Sequence, residues 1–145
     1  MLVHVFPEAD VPVVQLSIDR TLSAAAHLDL ARQLAPLRDE GVLVVGSGNI
    51  VHNLRVMDWG LGDGEGFDWA RRFDERARAL IESGDDSALA AYENLGGDAA
   101  LSIPTPEHYL PLLYVCALRR PGETPTFPVE GLTGGSISMT AVRFG

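Results

Sequence analysis

The chain has 145 residues, within the roughly 100–200 expected of a single domain. Hydrophobic residues make up 46% and charged residues 21%, an ordinary globular balance that excludes an intrinsically disordered chain. Twenty acidic against eleven basic residues leave a net charge of −9, which opposes binding to a phosphate backbone or an anionic membrane. The single cysteine, Cys116, excludes a disulfide framework and a multi-cysteine zinc site.

Residues 11–19 open the pattern. Val11, Val13, Val14, Leu16 and Ile18 are apolar with little polar alternation, as in a strand covered on both faces, and Pro12 stands at its start. A helix is predicted over 23–40, with Ser23 as N-cap, Leu30, Leu34 and Leu37 on one face, a kink at Pro36 and Gly41 as C-terminal cap. Residues 42–45 form a second apolar strand that runs into Gly46-Ser47-Gly48. Strand, helix, strand is a βαβ unit, so the sheet should be partly parallel.

Residues 58–66 read as a glycine-rich loop. A second amphipathic helix is predicted over 68–83, with Trp69, Phe73, Ala77 and Leu80 on one face and Gly84 beyond its end. Arg71, Arg72, Arg76 and Arg78, interleaved with Asp74 and Glu75, read as a solvated, salt-bridged face of that helix. A short helix over about 87–95 follows. Thr105-Pro106-Glu107 has the grammar of a helix start, with the helix running to about Leu118. Residues 126–129 and 136–144 are β-like. The expected class is α/β, a central mixed, partly parallel sheet flanked by helices.

The early strand, with apolar Leu2, Val3, Val5 and Phe6 before it, suggests that Met1 lies inside a longer folding unit; a short first strand is the blander reading. No apolar stretch approaches the ~20 residues that span a bilayer, and Pro7, Glu8 and Asp10 stand where a signal peptide would be apolar. The expected setting is cytoplasmic, with neither nucleic acid nor membrane as partner.

Four histidines are the candidates for chemistry. His4, near the terminus, and His27, beside Asp29, read as surface or boundary residues. His52 follows the C-terminal end of a predicted strand, where open α/β sheets bind ligands; a loop histidine held by a backbone carbonyl is the competing reading. His108 falls in the first turn of a predicted helix, where the positive end of the dipole favours the neutral imidazole that a metal needs. A capping or packing role competes there. Gly46-Ser47-Gly48 lacks the third glycine of a dinucleotide fingerprint and the lysine of a phosphate loop. Cys116, between Val115 and Ala117, reads as a buried small hydrophobe.

Several segments occur in an order that resembles a known family: residues 6–19, Leu37-Arg38-Asp39-Glu40-Gly41, the stretch from Gly46 through His52 to Arg55, Pro104 through His108 to Val115, Pro128 to Gly131, and Gly135 to Met139. Together they resemble the class III extradiol ring-cleavage dioxygenases, in the 4,5-DOPA dioxygenase branch, over nearly the whole chain. The resemblance implies an enzyme that opens a catechol-type aromatic with O2 at a non-haem metal, Fe(II) or zinc in its place. It further implies that His52 is the acid/base and His108 a metal ligand. It places the chain, residues 1–145, as the C-terminal part of the catalytic domain, because the family's other metal-binding histidines precede the aligned region and His4 does not match them. The domain is therefore expected to be incomplete, to hold metal weakly by itself, and to associate with the missing N-terminal segment or with other copies of itself. The alternative is a non-catalytic binding or scaffold domain derived from the same fold.

Overall fold

The computed structural model describes residues 2–145. It is a mixed α/β arrangement of helices and two small antiparallel sheets. A short helix, α1 (Leu2–Val5), stands exposed at the front where a first strand was the blander expectation. Helix α2 (Ala24–Arg32) begins as expected, with the Ser23 hydroxyl accepting from the Ala26 N–H at 3.2 Å. It ends earlier than its leucine spacing predicts. Pro36 has no N–H to donate and its ring crowds the preceding turn, so the chain continues as a 3-10 turn, Ala35–Arg38. Gly41, at φ +81°, then reverses it, and the Val42 N–H bonds back to the Leu37 carbonyl at 3.0 Å.

The partly parallel central sheet is not formed among the described residues. Residues 11–18 and 42–45 carry no strand pairing. The reason is physical: a strand that is apolar on both faces needs neighbours at its edges and layers above and below, and no described segment supplies them. The sheets that do form are antiparallel and lie in the last quarter. Strand β1 (Thr126–Val129) pairs with β4 (Ala141–Arg143), and β2 (Leu132–Thr133) pairs with β3 (Ile137–Ser138).

Helix α3 (Asp68–Ser83) has the predicted bounds, and Gly84 closes it at φ +76°. Phe73, Ala77, Leu80 and Ile81 are buried, whereas Trp69 is only partly covered and packs at the edge of the core. The helix predicted over 87–95 divides into α4 (Asp86–Ala90) and a 3-10 turn, Tyr92–Leu95. Helix α5 (Gly97–Ser102) was not anticipated, since six residues are too few to show an apolar period. Thr105-Pro106 opens a 3-10 turn, Pro106–His108, and helix α6 (Leu110–Ala117) begins only after it. Among the described residues, no helix is long and apolar enough to cross a membrane.

The core gathers Leu28, Ile50, Val51, Phe73, Leu80, Ile81, Leu89, Tyr109, Leu113 and Cys116 between α2, α3 and α6. Cys116 is buried as expected, and burial pushes its thiol up to about 12. The arginine face of α3 also holds in part. Arg72 pairs bidentately with Asp98 at 2.8 and 2.9 Å, and Arg78 reaches Glu130 at 2.7 Å while lying over the Phe127 ring. Asp74 does not belong to that face, because it is buried.

A second tie fixes the chain after α2 to the chain after α6. The Arg38 guanidinium donates twice to the Glu123 carboxylate, at 2.7 and 2.8 Å, and once to the Leu118 carbonyl at 2.6 Å. The two bonds to Glu123, with one from the Arg120 N–H, hold its carboxyl down at about 2. A depressed carboxyl contributes stability above its unfolded value, near 4.5, and loses it as pH falls toward 2. Glu123→Gln should therefore lower the urea midpoint at pH 7, and the deficit against the parent should shrink between pH 4.5 and 2. A deficit independent of pH would mean that the carboxylate charge is not what ties these segments.

Candidate active site

His52 and His108 are 56 positions apart, yet the fold lays one ring on the other. Their centroids are 3.7 Å apart and their planes differ by 16°. Both side chains are half-buried. The His52 backbone is held from two sides. The His52 N–H donates to the Ser102 carbonyl at 2.9 Å, and His52 forms an antiparallel bridge with Ile137. Val51 accepts from the Ser138 N–H at 2.9 Å, and the Asn53 N–H donates to the Ser136 carbonyl at 3.1 Å. Residues 51–53 thus form a strand-like rung between the end of α5 and β3.

Asn49 joins this rung to His108. Its N–H donates to the His108 carbonyl at 2.8 Å, and its side-chain amide donates to the Ser138 carbonyl at 2.7 Å. Gly46-Ser47-Gly48 explains itself at the same contact. A Cβ on Gly48 would lie 2.0 Å from the His108 carbonyl oxygen, and one on Gly46 would lie 2.6 Å from that of Pro111. The glycines permit backbone to approach backbone, which accounts for them without a bound phosphate.

The electrostatics of the pair favour at least one neutral ring. Burial lowers the His52 pKa below the ordinary imidazole value, a positive charge on His108 would lower it further, and Glu107 opposes both. His108 occupies a three-residue 3-10 turn and not the first turn of an α-helix, so the dipole argument for its neutrality does not apply. Among the described residues, no three histidine, cysteine, aspartate or glutamate side chains converge to hold a metal ion. A three-ligand centre therefore does not fit on these residues alone.

The other two histidines stay apart from the pair. His4 is exposed on α1, as expected. His27 corrects its reading as a surface or boundary residue, for it is fully buried. Its Nε2 lies 2.9 Å from the Asp19 carbonyl, which can only accept, so Nε2 donates there, and Nδ1 lies 2.8 Å from the Tyr114 hydroxyl. That ring is a strut between residue 19, α2 and α6. A surface groove of about 430 Å³ beside α2, lined by Leu22, Leu28, Tyr92 and Leu110 among others, includes neither His52 nor His108.

Asp74 supports the site from behind. Its carboxylate accepts from the Ser138 hydroxyl and, at 3.0 Å, from that of Thr140, fixing the strand that pairs with His52. Burial raises its pKa from 3.8 despite both hydroxyls. A raised carboxyl contributes stability that is full below the unfolded value and lost as pH rises through the folded one. Asp74→Asn should thus gain on the parent in urea unfolding as pH goes from 4 to 7. A constant difference between the two proteins would show that folding does not raise the Asp74 pKa.

No family model matches the chain. It is similar to the 4,5-DOPA dioxygenase extradiol of Escherichia coli K12, with 48% identity over 149 positions, covering 100% of this chain and 54% of that protein. To the 4,5-DOPA dioxygenase extradiol of Beta vulgaris it is 38% identical over 143 positions, covering 99% of this chain and 53% of the relative. The chain thus spans about half the length of these curated relatives. A crystal structure of an uncharacterized Escherichia coli K12 protein superposes with a TM-score of 0.90 and 45% identity, covering 99% of this chain and 59% of that one. This likeness to relatives that share one name fits the 4,5-DOPA dioxygenase branch of the extradiol dioxygenases.

Proposed function

We propose that this chain carries part of the site at which a catechol-type aromatic ring is opened by O2, with His52 as the acid/base and His108 as one ligand of an Fe(II) ion, or of zinc in its place. The observation that supports this most is the stacked pair, since the two histidines singled out by the family resemblance meet at 3.7 Å. The proposal needs further ligands from outside the described residues, in keeping with relatives about twice as long.

What His52 does follows from its surroundings. Burial favours its neutral form. A neutral imidazole can take the proton that a catechol hydroxyl gives up, and the imidazolium so formed can return it. His52 is held by its backbone on both sides, so its ring is positioned without spending its own nitrogens on the scaffold. His108 is anchored through its carbonyl in the same way, leaving its ring available as a donor. The test is ring opening and metal content in a polypeptide of the relatives' full length, read for the parent and for each histidine variant.

A further inference from the structure

We infer that Ser138, anchored by the buried Asp74 carboxylate, is a positioning residue that sets how the His52 and His108 rings face each other. Ser138 lies on β3, is 1% exposed, and has each of its polar atoms in use. Its N–H donates to the Val51 carbonyl at 2.9 Å, in the peptide that leads into His52. Its carbonyl accepts from the Asn49 side-chain amide at 2.7 Å, and the Asn49 N–H donates in turn to the His108 carbonyl at 2.8 Å. Its hydroxyl donates to Asp74 and accepts from the Thr140 N–H at 3.2 Å. One residue thus stands a single hydrogen bond from the peptide before His52 and is tied through Asn49 to His108. Its neighbours add to the hold. Ile137 bridges His52, and the Ser136 hydroxyl donates to the Asn53 carbonyl at 2.8 Å.

The chemistry of the anchor favours this role over plain stabilisation. Asp74 projects from α3, whose buried stripe of Phe73, Ala77, Leu80 and Ile81 seats the helix in the core. A buried carboxylate is a costly tie between helix and strand, and an apolar pair of similar volume would hold the two together as well or better. What the polar pair adds is direction. One carboxylate oxygen takes the Ser138 hydroxyl and the other takes the Thr140 hydroxyl at 3.0 Å, so β3 can neither slide nor turn on α3 without breaking a bond. A slip of β3 would carry residues 49 and 51 with it, and both rings would move. Reacting groups have to be held within about 0.5 Å of their working geometry, which is the precision that directed bonds supply. The use of this alignment in catalysis rests on the acid/base and ligand roles proposed above; the alignment itself rests on the hydrogen bonds alone.

The test reads the ring-current shifts that the stacked imidazoles impose on each other's protons, at one pH and in this chain. Ser138→Ala with Asp74→Leu removes both partners of the buried bond and leaves no carboxylate unpaired. Its urea midpoint is expected to stay close to the parent's, while the mutual shifts of His52 and His108 lose most of their size. Asn49→Ala is the second variant, at a partly exposed position whose backbone bond to His108 survives. It should reduce the same shifts without unfolding the chain. Glu123→Gln weakens a different tie, between the segments after α2 and α6, and should leave the shifts at parental size. In a polypeptide of the relatives' full length, Ser138→Ala should lower kcat by roughly 10–100-fold with KM little changed. Parental shifts in both the double variant and Asn49→Ala overturn the proposal. So does an equal loss in Glu123→Gln, which would make the alignment a matter of overall stability. A full-length parent that opens no ring would overturn the proposed function, and the shifts would still decide whether Ser138 aligns the pair.

Discussion

In a polypeptide spanning the relatives' full length, His108→Ala and His52→Ala are expected to fail in different ways. Removing a metal ligand should empty the site, so metal content and ring opening fall together for His108→Ala. Removing the proton-moving group should leave metal bound while turnover drops by roughly 10²–10⁴-fold, the usual worth of general acid–base catalysis. The stacked geometry makes the comparison informative. Both rings are half-buried and touch each other, so both deletions open a similar void and disturb packing to a similar degree. A difference in metal content between the variants therefore reports on role and not on packing. The His52→Ala loss should be partly recovered at higher pH, where a catechol ionises unaided. If His52→Ala loses the metal, or His108→Ala keeps it, the two roles are wrongly divided.

The parts of this architecture legible in the sequence are those in which local grammar and burial agree. Helix α3 was readable because sixteen residues carry a full apolar stripe and a glycine stop. The Ser23 cap was readable because it is a one-residue device with a backbone cause, whereas Gly41, expected to cap a helix over 23–40, turns the chain beyond a 3-10 turn instead. Residues 11–18 and 42–45 show the limit of such reading. Their composition specifies a strand, but a strand exists only with a partner, and none of the described residues pairs with them. Asp74 illustrates a second limit: among four arginines it reads as one more solvated charge, and only the later Ser138 and Thr140 hydroxyls make its burial tolerable. The meeting of His52 with His108 lies beyond any spacing rule. It depends on Asn49, Gly48 and β3, whose contacts join positions 49, 108 and 138 through tertiary structure.

Gly48→Ala is expected to be the most damaging single-methyl change at the site. Its backbone carries no positive φ, so the residue is glycine for space and not for conformation. The added carbon would meet the His108 carbonyl oxygen at 2.0 Å, and that obstacle is backbone, which cannot swing aside as a side chain would. Relief requires residues 46–49 and 106–111 to separate, which stretches the Asn49 N–H bond to the same carbonyl. Overpacking of this kind costs about 1–3 kcal/mol, and the lost hydrogen bond adds about 1. Gly97→Ala is the matched control: it opens α5, nothing lies within 4 Å of its added carbon, and its φ is not positive. There the methyl should stabilise by about 0.4–1 kcal/mol through the unfolded chain. Urea unfolding of the two variants should thus move in opposite directions. Because the Gly48 clash acts on the residue that carries one of the stacked rings, it should also weaken the ring-current shifts that each imidazole imposes on the other. Equal stability of Gly48→Ala and the parent would mean that the two segments are not held in backbone contact, and the stacking of His52 on His108 would lose its support.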